Sequence, residues 1–198
     1  MFFHFHLIFD SSTAEKRQNS RAAEEAYLAE IGDNLVLRGE IMSDDQKTQT
    51  ATVMFVEFDD LASVRAFLAD DPWHKNGAYK EAHINRWTNG LKRTPDTLPY
   101  HEGESYWHLR GYGKPDTHAR RQEILADHIG YYAPHDPDKI LIRGALLNAE
   151  IDEWQGSAIV MEKESRENIL TFLADEPYYV NGLYDRILIE RFAVMPRL

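Results

Sequence analysis

Cysteine is absent from the 198 residues, which removes disulfides, thiolate nucleophiles and Cys-ligated zinc from consideration. Basic residues are also scarce: 22 Lys and Arg stand against 33 Asp and Glu, for a net charge of −11. Phosphate binding draws on clustered Lys and Arg, so a nucleic-acid role is disfavoured. No apolar run approaches the ~20 residues that a bilayer-spanning helix needs. The opening Met1 to Phe9 is apolar, but it lacks a basic flank and a small-residue cleavage site and reads as a strand rather than a signal peptide. Gly111-Tyr112-Gly113-Lys114 lacks a phosphate-binding loop around it, and His101-Glu102 lacks the second histidine of a zinc-protease helix. No Gly-x-Ser-x-Gly elbow occurs. These absences lead us to expect a cytoplasmic protein with a small-molecule ligand, no nucleic-acid or membrane partner and no cofactor.

What is present is a repetition. Asp70-Asp71-Pro72-Trp73, followed by Asn76-Gly77-Ala78-Tyr79, returns as Asp175-Glu176-Pro177-Tyr178, followed by Asn181-Gly182-Leu183-Tyr184. The offset is 105 (176 − 71, 184 − 79), and it also carries Phe67-Leu68-Ala69 onto Phe172-Leu173-Ala174 and Arg38-Gly39 onto Arg143-Gly144. A register kept over some fifty residues means two copies of one fold. The expected division is a first repeat over residues 1–90, a Pro- and Gly-containing linker over 91–105 and a second repeat over 106–198. Hydrophobic residues make up 43% of the chain, enough for packed cores in both units.

Within each copy the pattern reads β-α-β-β-α-β. Phe3, Phe5, Leu7 and Phe9 alternate with His4, His6 and Ile8, as in a half-buried strand. A helix follows from about Ser11 to Ile31, then a short strand Leu35–Arg38 and a polar loop from Glu40 to Lys47. Next come a strand Ala51–Phe58, a second helix capped by Asp59-Asp60 and stopped at Asp71-Pro72, and a strand His83–Trp87. The second copy repeats this with strands at Tyr106–Tyr112, Ile140–Arg143, Ser157–Met161 and Ile187–Phe192, and helices at Asp116–Tyr132 and Glu164–Ala174. This is the α+β, ferredoxin-like order. Each such unit leaves one sheet face bare. The two repeats are therefore expected to pack sheet to sheet as a pseudo-dimeric α/β barrel, with a pocket on the face away from the helices. A monomeric pseudo-dimer suffices physically, and a homodimer through exposed sheet edges stays open.

The acidic-Pro-aromatic turn after the second helix, the glycine a few residues on and a first helix with Arg and His together resemble the YCII-related family. Its members pair as ferredoxin-like barrels, and some are linked to lyase-type steps in chloroaromatic breakdown. The family's first helix typically reads Arg-x-x-x-Arg-x-x-His-Leu, and the acidic residue of the turn is the histidine's partner. In this chain the resemblance places the histidine at His128, with Arg121 upstream and Glu176 in the turn where the family shows Asp. The first copy has Arg17, Arg21 and the expected Asp71, but Glu24, or Ala23 in the ungapped register, stands where the histidine belongs.

His128 with Glu176 is thus the candidate catalytic pair, with Asp71 as a remnant of the first copy's site. An imidazole oriented by a carboxylate suits general acid/base work near neutral pH. Arg121, Arg17 and Arg21 are candidate anion-binding residues, since a guanidinium matches a carboxylate fork, although such arginines also form solvated helix faces. His4 and His6 share a strand face with one another, and His108 and Arg110 occupy the matching face of the second copy; all four are expected to line the space between repeats. Alternate strand histidines can ligate a metal, but no spacing supplies a third ligand, so no metal site is assigned. The expected chemistry is an isomerase- or lyase-type step on a cyclic or aromatic-derived anionic substrate. A non-catalytic binding module with a decayed site and a barrel oxygenase are the alternatives.

Overall fold

A computed structural model describes residues 1–148 and 153–198. The first repeat comprises β1 (Phe2–Phe9), α1 (Ala14–Ala29), β2 (Leu35–Met42), β3 (Gln49–Glu57), α2 (Leu61–Asp70), the single-turn α3 (Pro72–Lys75) and β4 (Tyr79–Trp87). The second comprises β5 (Tyr106–Gly113), α4 (His118–Glu123), α5 (Leu125–Tyr132), β6 (Ile140–Leu147), β7 (Trp154–Glu162), α6 (Arg166–Leu173), the single-turn α7 (Pro177–Val180) and β8 (Tyr184–Val194).

The eight strands form one closed antiparallel barrel in the order β1-β3-β2-β8-β5-β7-β6-β4. Each repeat contributes four adjacent strands, and two seams join them: β2 to β8, with Gly39 opposite Val194, and β4 to β6, with Arg86 opposite Leu147. Closure satisfies the edges that each repeat alone would expose. The strands therefore run longer than alternation suggested. β2 continues through Met42 because Gly39 to Met42 pair with both β3 and β8, where a loop from Glu40 was expected. β4 starts at Tyr79 rather than His83 because its pairing with β1 extends from Arg86 back to Tyr79.

Alternation along β1 sorts its side chains as expected. Phe3, Phe5 and Leu7 pack outward with Leu28 of α1 and Val64 and Phe67 of α2, while His4 and His6 are buried on the opposite face. That inner face is not an open pocket. Val36, Ile41, Phe55, Trp87, Leu141, Val160, Phe192 and their neighbours fill the barrel as one core, as side chains do in an eight-stranded barrel.

The helix ends follow local chemistry. Asp10 accepts from the Ser12 amide at 2.8 Å and caps the turn that leads into α1. Asp60 caps α2 through the Ser63 amide. Asp71-Pro72 ends α2 as expected, and then also opens α3: Asp71 is its N-cap and Pro72 its first residue, a position where proline's missing N–H costs nothing. The helix expected over 116–132 is interrupted at Ile124, whose backbone (φ −106°, ψ 9°) leaves the helical region while its side chain is buried against Trp154 and Tyr178. The chain between repeats is docked: Thr88 and Gly90 donate to the Ala145 and Arg143 carbonyls, and Arg93 donates to the Asp136 carbonyl. No helix among the described residues is long and apolar enough to cross a membrane.

Candidate functional site

Glu176 is fully buried at the N-terminus of α7. Its carboxylate accepts from the backbone N–H of Tyr178 at 3.1 Å and of Tyr179 at 2.8 Å, and lies 2.6 Å from Nδ1 of His128 on α5. A carboxylate is an acceptor, so the ring meets it as an Nδ1–H donor. Nε2 then carries the lone pair and has no hydrogen-bond partner among the described residues. The ring cannot swing away from this pose. Tyr178 stacks on it face to face, with centroids 3.8 Å apart and planes at 4°, and Tyr132 closes a second side at 5.0 Å. The acidic-Pro-aromatic turn therefore supplies both the acceptor that orients the histidine and the aromatic plate that immobilises it.

His128 borders a cleft of about 170 Å³ at the β4–β6 seam, which Arg121, Leu125, Arg143, Ser157 and Tyr178 also line. Arg121 lies over Trp154 and Tyr178, with its guanidinium carbon 5.6 and 5.9 Å from the ring centroids. No carboxylate among the described residues pairs with it, so its charge stands in the cleft that His128 lines. Arg143 is held differently: Nε and Nη2 donate to the two oxygens of Asp136, each at 2.6 Å. Tyr184, deep behind the turn, donates to Ser157 at 3.1 Å, and burial followed by the nearby Glu176 charge holds its phenol far above the usual range.

The first copy builds the same frame around different chemistry. Glu24, and not Ala23, is the buried residue that faces the turn. It stands 104 residues before His128 (128 − 24), whereas the turns are 105 apart. The Trp73 amide, counterpart of the Tyr178 amide, donates to Glu24 at 3.3 Å, and the His74 amide donates to Asp71 at 2.8 Å. Tyr79 adds a bond to Asp71 at 3.1 Å. Burial, and then the Asp71 charge, raise the Glu24 carboxyl; burial also raises Asp71. Two carboxyls buried in one site disfavour each other's ionisation. The first copy is thus a carboxyl pair where the second is an imidazole–carboxylate pair.

The remaining candidates fall in other places. Arg17 is buried over the Phe9 ring at 4.0 Å and donates to Thr13 at 2.9 Å, tying α1 to β1. Arg21 pairs with Glu40 at 3.1 Å. His4, His6, His108 and Arg110 do line the inner face, but as part of a filled interior separate from the His128 cleft. His4 and His108 meet at 3.1 Å between Nε2 atoms, and His108 Nδ1 lies 2.9 Å from Glu190. Arg110 donates to Asn85 at 2.9 Å. Burial first, then neighbouring cations, hold His4 well below the usual histidine range; burial likewise lowers His108 against the pull of Glu190. Burial alone would raise Glu190, but the hydrogen bond from His108, with His6 close by at 3.5 Å, holds it far below the usual carboxylate range. Among the described residues no group of three or more His, Asp or Glu side chains is arranged to hold a metal ion.

Of the ten side chains singled out from sequence, the structure thus brings His128 and Arg121 to one cleft, with Glu176 buried behind His128. Sequence reading missed Tyr178 as the stacking plate and Arg143 as a lining residue. Both sit inside repeated segments, Pro177-Tyr178 and Arg143-Gly144, whose local pattern marks a turn and a repeat register but not a partner in space.

Comparison with known proteins adds the following. The YCII-related domain matches residues 1–88 and again residues 106–193. No curated protein matches the chain. Among solved structures, a chlorite dismutase from Candidatus Nitrospira defluvii aligns over 99% of this chain and 91% of its own, with TM-score 0.64 and 11% identity. A suspected monooxygenase from Lactobacillus acidophilus aligns over 98% and 92%, with TM-score 0.56 and 10% identity. A 5-chloro-2-hydroxyhydroquinone dehydrochlorinase from Burkholderia phenoliruptrix aligns over 47% of this chain and 99% of its own, with TM-score 0.43 and 23% identity. At these identities the likeness to the two full-length matches is one of fold: a dimeric α/β barrel, here made from a single chain.

Proposed function

We propose, given that the chain belongs to the YCII-related family in both of its halves, that it is a small-molecule enzyme whose single working site is the His128 cleft. His128 would move a proton to or from carbon, in an isomerase- or lyase-type step, on a cyclic, anionic substrate. The observation that carries this reading is the fixed pose of the imidazole. Nδ1 is engaged by Glu176 at 2.6 Å, the ring is stacked on Tyr178 at 3.8 Å, and the residue lines the cleft. Glu176 leaves the Nε2 lone pair free as a base, and it stabilises the imidazolium that forms when the proton is taken. Arg121 would hold the substrate's anionic group and the negative charge that develops on it. Asp71 belongs to the carboxyl pair of the first copy and takes no step in this reading.

The cleft's volume of about 170 Å³ accommodates a single ring rather than an extended chain. Cyclic hydroxy- and oxo-carboxylates incubated in D2O test the reading, with exchange at carbon followed by proton NMR. Exchange in wild type that is lost in His128→Gln and weakened in Arg121→Gln is the expected result. Exchange at the wild-type rate in His128→Gln would overturn the assignment.

A further inference from the structure

A second cleft is larger than the one beside His128. It encloses about 550 Å³ at the other seam, between α1, β2, the inter-repeat linker and the segment after β8. Leu28, Val36, Leu98, Val194 and Met195 give it apolar walls, and Tyr100 stands exposed at its mouth. Its size falls within the ~300–1,000 Å³ typical of small-molecule sites. Two of its walls, Pro95 to Glu102 and Val194 to Leu198, lie outside the segments that the YCII-related domain matches. The cleft is therefore built by what this chain adds to the duplicated domain. Arg197 fastens the added segments together, pairing with Asp33 beside α1 and with Asp96 of the linker.

The pseudo-symmetry of the barrel singles out one residue there. Arg38 and Arg143 are equivalent (143 − 38 = 105), and their surroundings repeat: the Met195 amide donates to the Arg38 carbonyl at 3.0 Å, as the Gly90 amide does to the Arg143 carbonyl at 3.1 Å. Their side chains differ. Arg143 is clamped on Asp136 by two bonds. The second copy's connection between its first helix and the following strand, residues 133–139, is longer than the first copy's, residues 30–34, and Asp136 lies in it. The first copy's connection carries Glu30 and Asp33, but neither pairs with Arg38 (Asp33 is taken by Arg197), and the Arg38 guanidinium makes no hydrogen bond or ion pair among the described residues while it lines the cleft. Glu25, Glu40 and Glu24 attract Arg38 through space without bonding it: Glu40 and Glu25 face Arg21 at 3.1 and 3.9 Å, and Glu24 accepts from the Trp73 amide, its carboxyl raised by burial and by Asp71. Arg197 is already paired, Glu102 is the one acidic side chain of the lining and stands at the exposed rim, and the terminal carboxylate of Leu198, which also borders the cleft, makes no ion pair among the described residues.

We infer that this cleft is a second ligand site, distinct from the His128 cleft, that takes a small carboxylate with an apolar body. The carboxylate meets Arg38 and the body lies along Leu28, Leu98 and Val194. Guanidinium and carboxylate match as a fork, and the desolvated walls strengthen the pairing relative to open water.

Octanoate and its neutral analogue octanamide, titrated calorimetrically into the full chain, test this. Octanoate is expected to bind saturably at one site. Arg38→Gln should weaken octanoate at least tenfold, roughly the loss of one charge-assisted contact, and leave octanamide unchanged. Leu98→Trp fills the cleft from the linker, away from the barrel, and should weaken both probes. His128→Gln should weaken neither, which separates this site from the proposed catalytic one. The inference is overturned by any of three results: no saturable octanoate binding up to ~10 mM, equal affinity in Arg38→Gln, or loss in His128→Gln with none in Leu98→Trp.

Discussion

Replacing Glu176 should damage the second repeat in a way that separates its two duties. The buried carboxylate caps α7 through two amides and receives Nδ1–H of His128. In Glu176→Ala the lost cap costs about 1 kcal/mol. The imidazole N–H and the Tyr178 amide, both buried, are left without an acceptor, at about 1–3 kcal/mol each. Because the Tyr179 amide is partly exposed, water replaces its acceptor at little cost. The sum is about 3–7 kcal/mol, before any relaxation of the turn. Glu176→Gln keeps one oxygen acceptor and the packing volume, and should cost about 1–2 kcal/mol. Urea unfolding of the two variants measures both, with an unchanged slope showing that the denatured state is the same. A loss below about 1 kcal/mol in Glu176→Ala, or equal losses in Ala and Gln, would refute the idea that this carboxylate organises the turn and the histidine.

Two further outcomes follow from the barrel. Acid should destabilise the protein: His4 and His108 have lowered folded-state pKa values, so the unfolded chain binds their protons first, and the stability present above pH ~6.5 is lost as pH falls below it. Glu190, also lowered, adds a further loss below its unfolded value near 4.5. Thermal unfolding across pH 4–8 checks this (the range spans both ~6.5 and the carboxylate region), and a midpoint that does not move would contradict it. At the β4–β6 seam, Gly144→Ala would place a methyl 1.6 Å from the Thr88 carbonyl oxygen, and a loss above ~4 kcal/mol is expected because backbone must move. Gly130→Ala in α5 meets nothing within 4 Å and should gain about 0.5–1 kcal/mol; urea unfolding distinguishes the pair.

The sequence carried the duplicated βαββαβ order, because repeated Asp-Pro turns and alternating strands are local signals. The sorting of Phe3 and Phe5 from His4 and His6 was legible for the same reason, since a strand has a period of two. The barrel's filled interior was not legible. Whether an inner face is an open pocket or packed depends on how eight strands close, which involves partners such as Gly39 and Val194 that are 155 residues apart (194 − 39). For that reason His4, His6, His108 and Arg110 could be assigned to a face but not separated from the His128 site. The carboxyl pair of the first copy was half visible. Residues before the first loop repeat at 104 and those after it at 105, as His4 with His108 and Arg38 with Arg143 show. Only packing decides that Glu24 takes the place of the histidine. The Pro177-Tyr178 step likewise marked a turn in sequence, yet nothing local says that the tyrosine ring will lie flat against an imidazole on another helix.

The central claim is that Glu176 holds His128 with its proton on Nδ1 and its lone pair on Nε2 facing the cleft. A long-range proton–nitrogen NMR correlation of the His128 ring, in neutral form at high pH, reads this directly and needs no substrate. The account predicts the Nδ1–H tautomer in wild type and a shift toward the Nε2–H form in Glu176→Ala. An Nε2–H tautomer in wild type, or one indifferent to Glu176, would contradict it.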